Sequence, residues 1–142
     1  MTLHVGLVNL CTLTGRLLIA LLFLVSGVGL IVAFPAVAGD MGTRGIPIPS
    51  SLLGVTIALW LFGGTCLFLG WRTRSAAGAI LIAMIPITVL FHAPWGSEAL
   101  EFQNKLNHFL MNLAIMGGLL QIIGFGPGPF SPDERRRVDE NA

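Results

Sequence analysis

The chain has 142 residues, of which 54% are hydrophobic and only 11% charged, and a formal net charge of +1. Soluble domains carry about 25% charged residues, so a chain with mean hydropathy +0.84 cannot cover a water-facing surface. The net charge itself says nothing about partners, but no basic nucleic-acid surface appears, so no nucleic-acid partner is expected.

Residues 17–38, 51–70, 75–93 and 106–125 form four apolar stretches. Each is close to the roughly 20 residues that a helix needs to cross a bilayer core. No Lys, Arg, Asp or Glu interrupts residues 17–39, 45–71, 75–97 or 106–132. The expected fold is an all-α membrane four-helix bundle. Its expected parts are an N-terminal interfacial segment (1–14), a four-span domain (15–126) and a cytoplasmic tail (127–142).

The first segment lacks a basic residue before Arg16, and the apolar run after Arg16 is too long for a signal h-region. It is therefore read as uncleaved. Val8-Asn9-Leu10-Cys11 has the form of a lipoprotein box, but no hydrophobic run precedes it. Leu3, Leu7 and Leu10 suit a short amphipathic segment lying along the interface. Arg16 is expected to snorkel to the headgroups. Span one should end near Phe34-Pro35, because proline disfavours helix in the residue before it. The first connection holds Gly45-Ile46-Pro47-Ile48-Pro49 and reads as an ordered outer loop of extended backbone.

Ser50 or Ser51 is the expected N-cap of span two. Trp71, Arg72 and Arg74 combine an aromatic belt residue with positive charge and read as an interfacial anchor. The tight turn after them makes spans two and three an antiparallel hairpin. Pro86, near the middle of span three, removes one backbone hydrogen bond; it either opens a local cavity or bends the helix harmlessly. Trp95 anchors the far interface. After span four, Gly126-Pro127-Gly128-Pro129 turns the chain into a charged tail, expected to fray. Arg135, Arg136 and Arg137 are expected to meet anionic headgroups.

Lys and Arg orient the chain. Arg16, Arg72, Arg74 and Arg135 to Arg137 fall on one side, while Arg44 and Lys105 fall on the other. The positive-inside rule then places both termini in the cytoplasm. Small residues recur four apart, as in Gly54 and Ala58, Ser75 with Ala79 and Ala83, and Ala114 with Gly118. Such spacing lets helices approach closely. The expectation is packing within the bundle, with a neighbouring protein as the alternative.

Polar groups at membrane depth are functional candidates because burying them is costly. Antiparallel geometry brings His92, His108 and Asn112 to similar depth near the outer surface, and Ser26 and Thr88 fall in the same half. Imidazole and carboxamide supply two donors for a quinone headgroup. Alternatively, the histidines face lipid headgroups and Asn112 bonds across helices. Two histidines without a carboxylate or thiol at helical spacing fall short of a metal site, so no metal is expected. Haem between His92 and His108 would need too wide a gap. Cys11 and Cys66 read as buried small residues rather than a redox pair. No nucleophile with a neighbouring base appears, so no catalytic residue is expected.

Gly15-Arg16-Leu17-Leu18 with Phe23 and Ser26-Gly27, Gly45-Ile46-Pro47, Gly63-Gly64 with Gly70 and Thr73-Arg74, Phe91-His92 with Trp95, and His108-Phe109-Leu110 with Asn112 and Gly117-Gly118-Leu119-Leu120 occur in a fixed order. Gly126-Pro127-Gly128, Ser131 and Asp133 close the series. In this pattern the chain resembles the DoxX family of small four-span bacterial membrane proteins. The resemblance implies a four-helix bundle in the bacterial inner membrane. It also implies a link to membrane redox complexes and to thiosulfate:quinone oxidoreductase. Relatives usually carry lysine, glutamate and lysine where this chain has Leu30, Trp60 and Met111. Losing all three charges together is coherent, since one charge alone would be left unpaired. The expectation is a non-catalytic accessory subunit of a larger respiratory or photosynthetic redox complex, with other membrane subunits and phospholipid as partners. It would have no intrinsic cofactor and would stabilise the complex or shape a quinone or lipid site. The alternative is a quinone-interacting oxidoreductase subunit.

Overall fold

A computed structural model describes residues 2–95 and 98–140. The elements are α1 (Thr2–Val32), α2 (Phe34–Thr43), α3 (Pro49–Leu69), α4 (Thr73–His92), α5 (Ala99–Phe125) and α6 (Pro132–Glu140). Four of these contain stretches long and apolar enough to span a membrane: Gly6–Val32, Pro49–Leu69, Thr73–His92 and Glu101–Phe125. The expectations for Met1, Gly96, Ser97, Asn141 and Ala142, and for the side chains of Leu3, Arg136 and Arg137, lie outside the described residues.

The long helices pack in the order α1, α3, α4, α5, with a loose seam between α5 and α1. Lipid is as apolar as leucine, so association rests on close packing rather than hydrophobic expulsion. Glycines supply the closest contacts. A Cβ on Gly64 would lie 3.1 Å from Leu24 and 3.3 Å from the Ala20 carbonyl oxygen. One on Gly27 would meet Leu61 at 2.8 Å, one on Gly63 Ile80 at 2.8 Å, and one on Gly118 Ile19 at 2.8 Å. Phe23, Trp60, Leu67, Ile80 and Leu119 fill the resulting core. Phe23 sets its ring against Trp60, with centroids 5.2 Å apart and planes at 78°, an edge-to-face arrangement that suits the ring quadrupoles.

Several local expectations are corrected. Thr2 to Thr14 are helical and belong to the same helix as the first span. No proline precedes Pro35, so α1 runs unbroken into the first span. Pro35 does not introduce extended backbone; it occupies the first turn of α2, where its missing N–H costs nothing. Neither Ser50 nor Ser51 caps α3. The cap is Ile48 in the left-handed region, at φ 45°, followed by Pro49. α4 continues through Pro86. The small residues expected in the bundle mostly face outward: Gly54, Ala58, Ser75, Ala79 and Ala114 are exposed. Cys66 is buried, but Cys11 is exposed.

The start of the tail, from Pro127 to Glu134, is held by hydrogen bonds rather than frayed. Arg16, expected at the headgroups, is turned into the protein and is only 3% exposed. Its Nη1 donates to the Pro127 carbonyl at 2.7 Å and its Nη2 to the Phe130 carbonyl at 3.0 Å. Asp133 then caps α4 from a distance. Its carboxylate accepts from the Arg72 N–H at 2.8 Å, the Thr73 N–H at 2.7 Å and the Thr73 hydroxyl at 2.7 Å. Ser131 caps α6 by accepting from the Glu134 N–H, while its hydroxyl donates to the Gly128 carbonyl at 2.7 Å. Pro132 begins that helix and Asp133 and Glu134 fill its first turn, the composition favoured at a helix start. Gly70, at φ 74°, ends α3 where a Cβ would strike Ser131 at 2.7 Å and Arg16 at 2.9 Å.

Gly64→Leu is expected to overpack the α1–α3 contact and lower stability by about 1–3 kcal/mol. Gly54→Leu, which points a side chain into open space, should change it by less than about 0.5 kcal/mol. Unfolding in mixed micelles titrated with SDS measures both. Asp133→Ala removes the remote cap of α4, worth about 1 kcal/mol, and should speed proteolytic nicking of the tail; unchanged protection would show that the cap is dispensable.

A candidate ligand cavity

At the end of the bundle opposite the tail, α1, α2, α3 and α4 border a partly open cavity of about 370 Å³. Leu30 comes from α1, Met41 from α2, Thr56 and Trp60 from α3, and Phe91 and His92 from α4. Gly29 leaves room at the wall, because nothing lies within 4 Å of the place a Cβ would take. α2 forms the cover, with Met41 buried against Leu53 and Ile57. Arg44 follows α2, pairs with Asp40 at 2.8 Å and sets its guanidinium 5.1 Å from the centroid of Phe91. The volume falls within the range of small-molecule sites, which combine apolar walls with a few polar groups. Here the residues with polar side-chain groups are His92, Trp60 with its indole N–H, and Ser26 and Thr56 with their hydroxyls. The Thr56 hydroxyl donates to the Leu52 carbonyl at 3.0 Å and keeps acceptor capacity for a guest.

The three polar residues singled out in the sequence meet only in part. His92 and His108 lie across the α4–α5 contact with ring centroids 5.4 Å apart. One turn deeper, the Asn112 carboxamide donates to the buried Thr88 hydroxyl at 3.0 Å. Only His92 lines the cavity; His108 and Asn112 lie outside its wall. Asn112 bonds across helices, one of the two arrangements considered from sequence. Val37, Met41 and Thr56 join the site without any local signal, because the wall draws on four helices. Among the described residues, no group of three His, Cys, Asp or Glu side chains gathers as a metal site.

The aromatic and basic residues sit at the two ends of the bundle. Trp71 is exposed beside Arg72, whose guanidinium lies 5.6 Å from the indole centroid. Arg74 lies against Gly126. Trp95 is exposed at the opposite end and packs edge-on to Phe109, centroids 5.4 Å apart.

The DoxX family model matches residues 11–93, which covers α1 from Cys11 onward, α2, α3, α4 and every residue of the cavity wall. The chain belongs to the DoxX family. It is 32% identical over 121 residues to the inner membrane protein YqjF of Escherichia coli K12, covering 85% of this chain and 88% of that protein. It is 35% identical over 72 residues to the Surfeit locus protein 4 homolog of Drosophila melanogaster, covering 49% of this chain and 26% of that one. The ER-derived vesicles protein ERV29 of Saccharomyces cerevisiae is 25% identical over 83 residues, 58% of this chain and 27% of its own length. The chain thus spans about a quarter of these two eukaryotic relatives. No solved structure matches it.

A double-mutant cycle on Thr88→Val and Asn112→Leu should give a coupling of about 0.6 kcal/mol, the usual worth of one hydrogen bond between membrane helices. Strictly additive effects would show that the bond contributes nothing.

Proposed function

We propose that this DoxX-family membrane protein is a non-catalytic accessory subunit of a larger membrane redox complex, and that it holds a quinone or a lipid in the cavity under α2. The observation that carries the reading is the cavity itself, about 370 Å³ with apolar walls and one imidazole. Leu30 and Trp60, which stand where relatives resembling this chain usually carry lysine and glutamate, both belong to that wall. An apolar pair there suits an apolar guest and leaves no charge to relay a proton. Met111, the third such position, is 57% exposed on α5 and plays no part in the cavity.

The outward small residues support a partner. Gly54, Ala58, Ala114 and Gly117 are exposed, and small residues are what a neighbouring membrane helix packs against. The name of the Escherichia coli relative and the Lys and Arg asymmetry support a bacterial inner membrane location with cytoplasmic termini. Trp71, Arg72, Arg74 and Trp95 then serve as phospholipid anchors. A second reading, a quinone-interacting subunit of a thiosulfate:quinone-type oxidoreductase, draws on the placement of His92 in the wall, where its imidazole can bond a carbonyl oxygen.

Purification from native membranes in mild detergent, with mass spectrometry of proteins and small molecules, tests both. The accessory reading expects recovery with a redox complex at fixed stoichiometry. His92→Leu should lower bound quinone by about three- to tenfold, the worth of one hydrogen bond, with turnover largely intact. Gly54→Leu should release the partner and keep the guest. A loss of turnover in His92→Leu with the assembly preserved would favour the second reading. A chain recovered alone with no guest would overturn both.

A further inference from the structure

The seam between α1 and α5 holds a second opening, distinct from the cavity under α2 and near the tail. It is a groove of about 500 Å³, with Cys11, Thr12, Gly15 and Arg16 on one wall and Gln121 and Phe125 on the other. The helices touch at Ile19 and Gly118 and separate toward the tail; nothing lies within 4 Å of the place a Gly15 Cβ would occupy. Arg16 lines the groove while 97% buried, which follows from its 3% exposure. Its Nη1 and Nη2 are taken by the Pro127 and Phe130 carbonyls, but its buried Nε has no hydrogen-bond partner among the described residues.

A guanidinium keeps its charge in proteins; the two oxygens bonded to it are neutral carbonyls, and the Asp133 carboxylate acts on it electrostatically while Nε stays without a hydrogen-bond partner. The donor left over calls for an oxygen acceptor, and an anionic one binds about twice as strongly as a neutral one. Gln121 places a second polar side chain on the same groove at membrane depth, where polar groups turn to a partner rather than to lipid tails. The rest of the rim is apolar: Val8 is 50% exposed and Phe125 is 84% exposed. An acceptor that is anionic at one end and apolar along its body meets both conditions.

We propose that this groove binds the headgroup of an anionic phospholipid, whose phosphodiester oxygens accept from the Arg16 Nε–H and the Gln121 carboxamide while an acyl chain lies over Val8 and Phe125. Nε itself is buried although Arg16 lines the groove, so binding includes a side-chain shift of the size common at interfaces. The same guanidinium holds the tail, so the bound lipid and the tail clamp share one cation.

The test uses the purified full chain in detergent, with native mass spectrometry and added phosphatidylglycerol, phosphatidylcholine or inorganic phosphate. Phosphatidylglycerol is expected to bind at least about tenfold more tightly than phosphatidylcholine, and about tenfold more weakly to Gly15→Leu. That variant fills the groove from a position with open space, so its thermal stability should match the parent. Gln121→Leu is the second variant and should weaken binding without touching the clamp. Cys11 lines the groove and is exposed, whereas Cys66 is buried. Maleimide labelling of Cys11 should therefore slow when phosphatidylglycerol binds. Equal retention of the two lipids, or unchanged binding in both variants, would overturn the proposal. Displacement of phosphatidylglycerol by inorganic phosphate would also overturn it, by showing a site for a free anion.

Discussion

The close approach of α1 and α3 is the constraint on which the rest depends. In a bilayer, apolar side chains gain nothing by leaving lipid for protein, so two helices pair only where their backbones come near enough for dense contact. Gly64 against the Ala20 carbonyl and Gly27 against Leu61 and Trp60 create that approach. It carries two consequences along the helix axis. Toward one end it turns the edge of Phe23 to Trp60, whose indole is at once core and cavity wall. Toward the other it brings Gly70 beside Arg16, which opens the place where the tail docks.

The two ends solve different problems. After Gly126 the backbone is irregular, and Pro127, Pro129 and Pro132 have no N–H to offer. Carbonyls in such a segment lose their helical donors and need others. A buried arginine has the opposite need, with several N–H groups and no water. Arg16 meets part of both needs, with Nη1 on the Pro127 carbonyl and Nη2 on the Phe130 carbonyl, while its Nε is left over. Asp133 repeats this logic on α4, whose first N–H groups have no partner within their own helix. At the opposite end no buried cation is present among the described residues. The polar groups there are those of Ser26, Thr56, Trp60 and His92, and apolar α2 covers them.

The four spans were legible because hydropathy and charge-free length report burial in lipid without reference to any neighbour. The shared depth of His92 and His108 was legible too, since it needs only the antiparallel run of α4 and α5. What failed in each case depended on a distant partner. Arg16 looks solvent-facing when only its own helix is read; it is buried because two of its acceptors lie 111 and 114 residues away. Spacing of small residues marks a close-packing face but does not say whether that face turns inward or outward, so Gly54 and Ala58, expected inside the bundle, turn out to be exposed. Pro35 ends one helix and opens the next, and local sequence gives both roles the same signature. The cavity wall had no sequence signature at all, because its members come from four helices and most are ordinary hydrophobes.

How a guest would reach the cavity follows from what covers it. α2 rests on apolar contacts of Met41 with Leu53 and Ile57, and displacing it would expose those side chains to the interface. The Asp40–Arg44 pair adds little to that hold, because both side chains are 43–50% exposed and exposed ion pairs are worth about 0–1 kcal/mol. The α1 wall is different. Ser26 and Gly29 line the cavity while remaining exposed, and Gly29 has no side chain to move aside. An apolar molecule dissolved in the bilayer meets that wall directly and need not cross water or lift α2. A guest entering from the lipid side at Ser26 and Gly29 would therefore leave the apolar contacts of α2 with Leu53 and Ile57 in place.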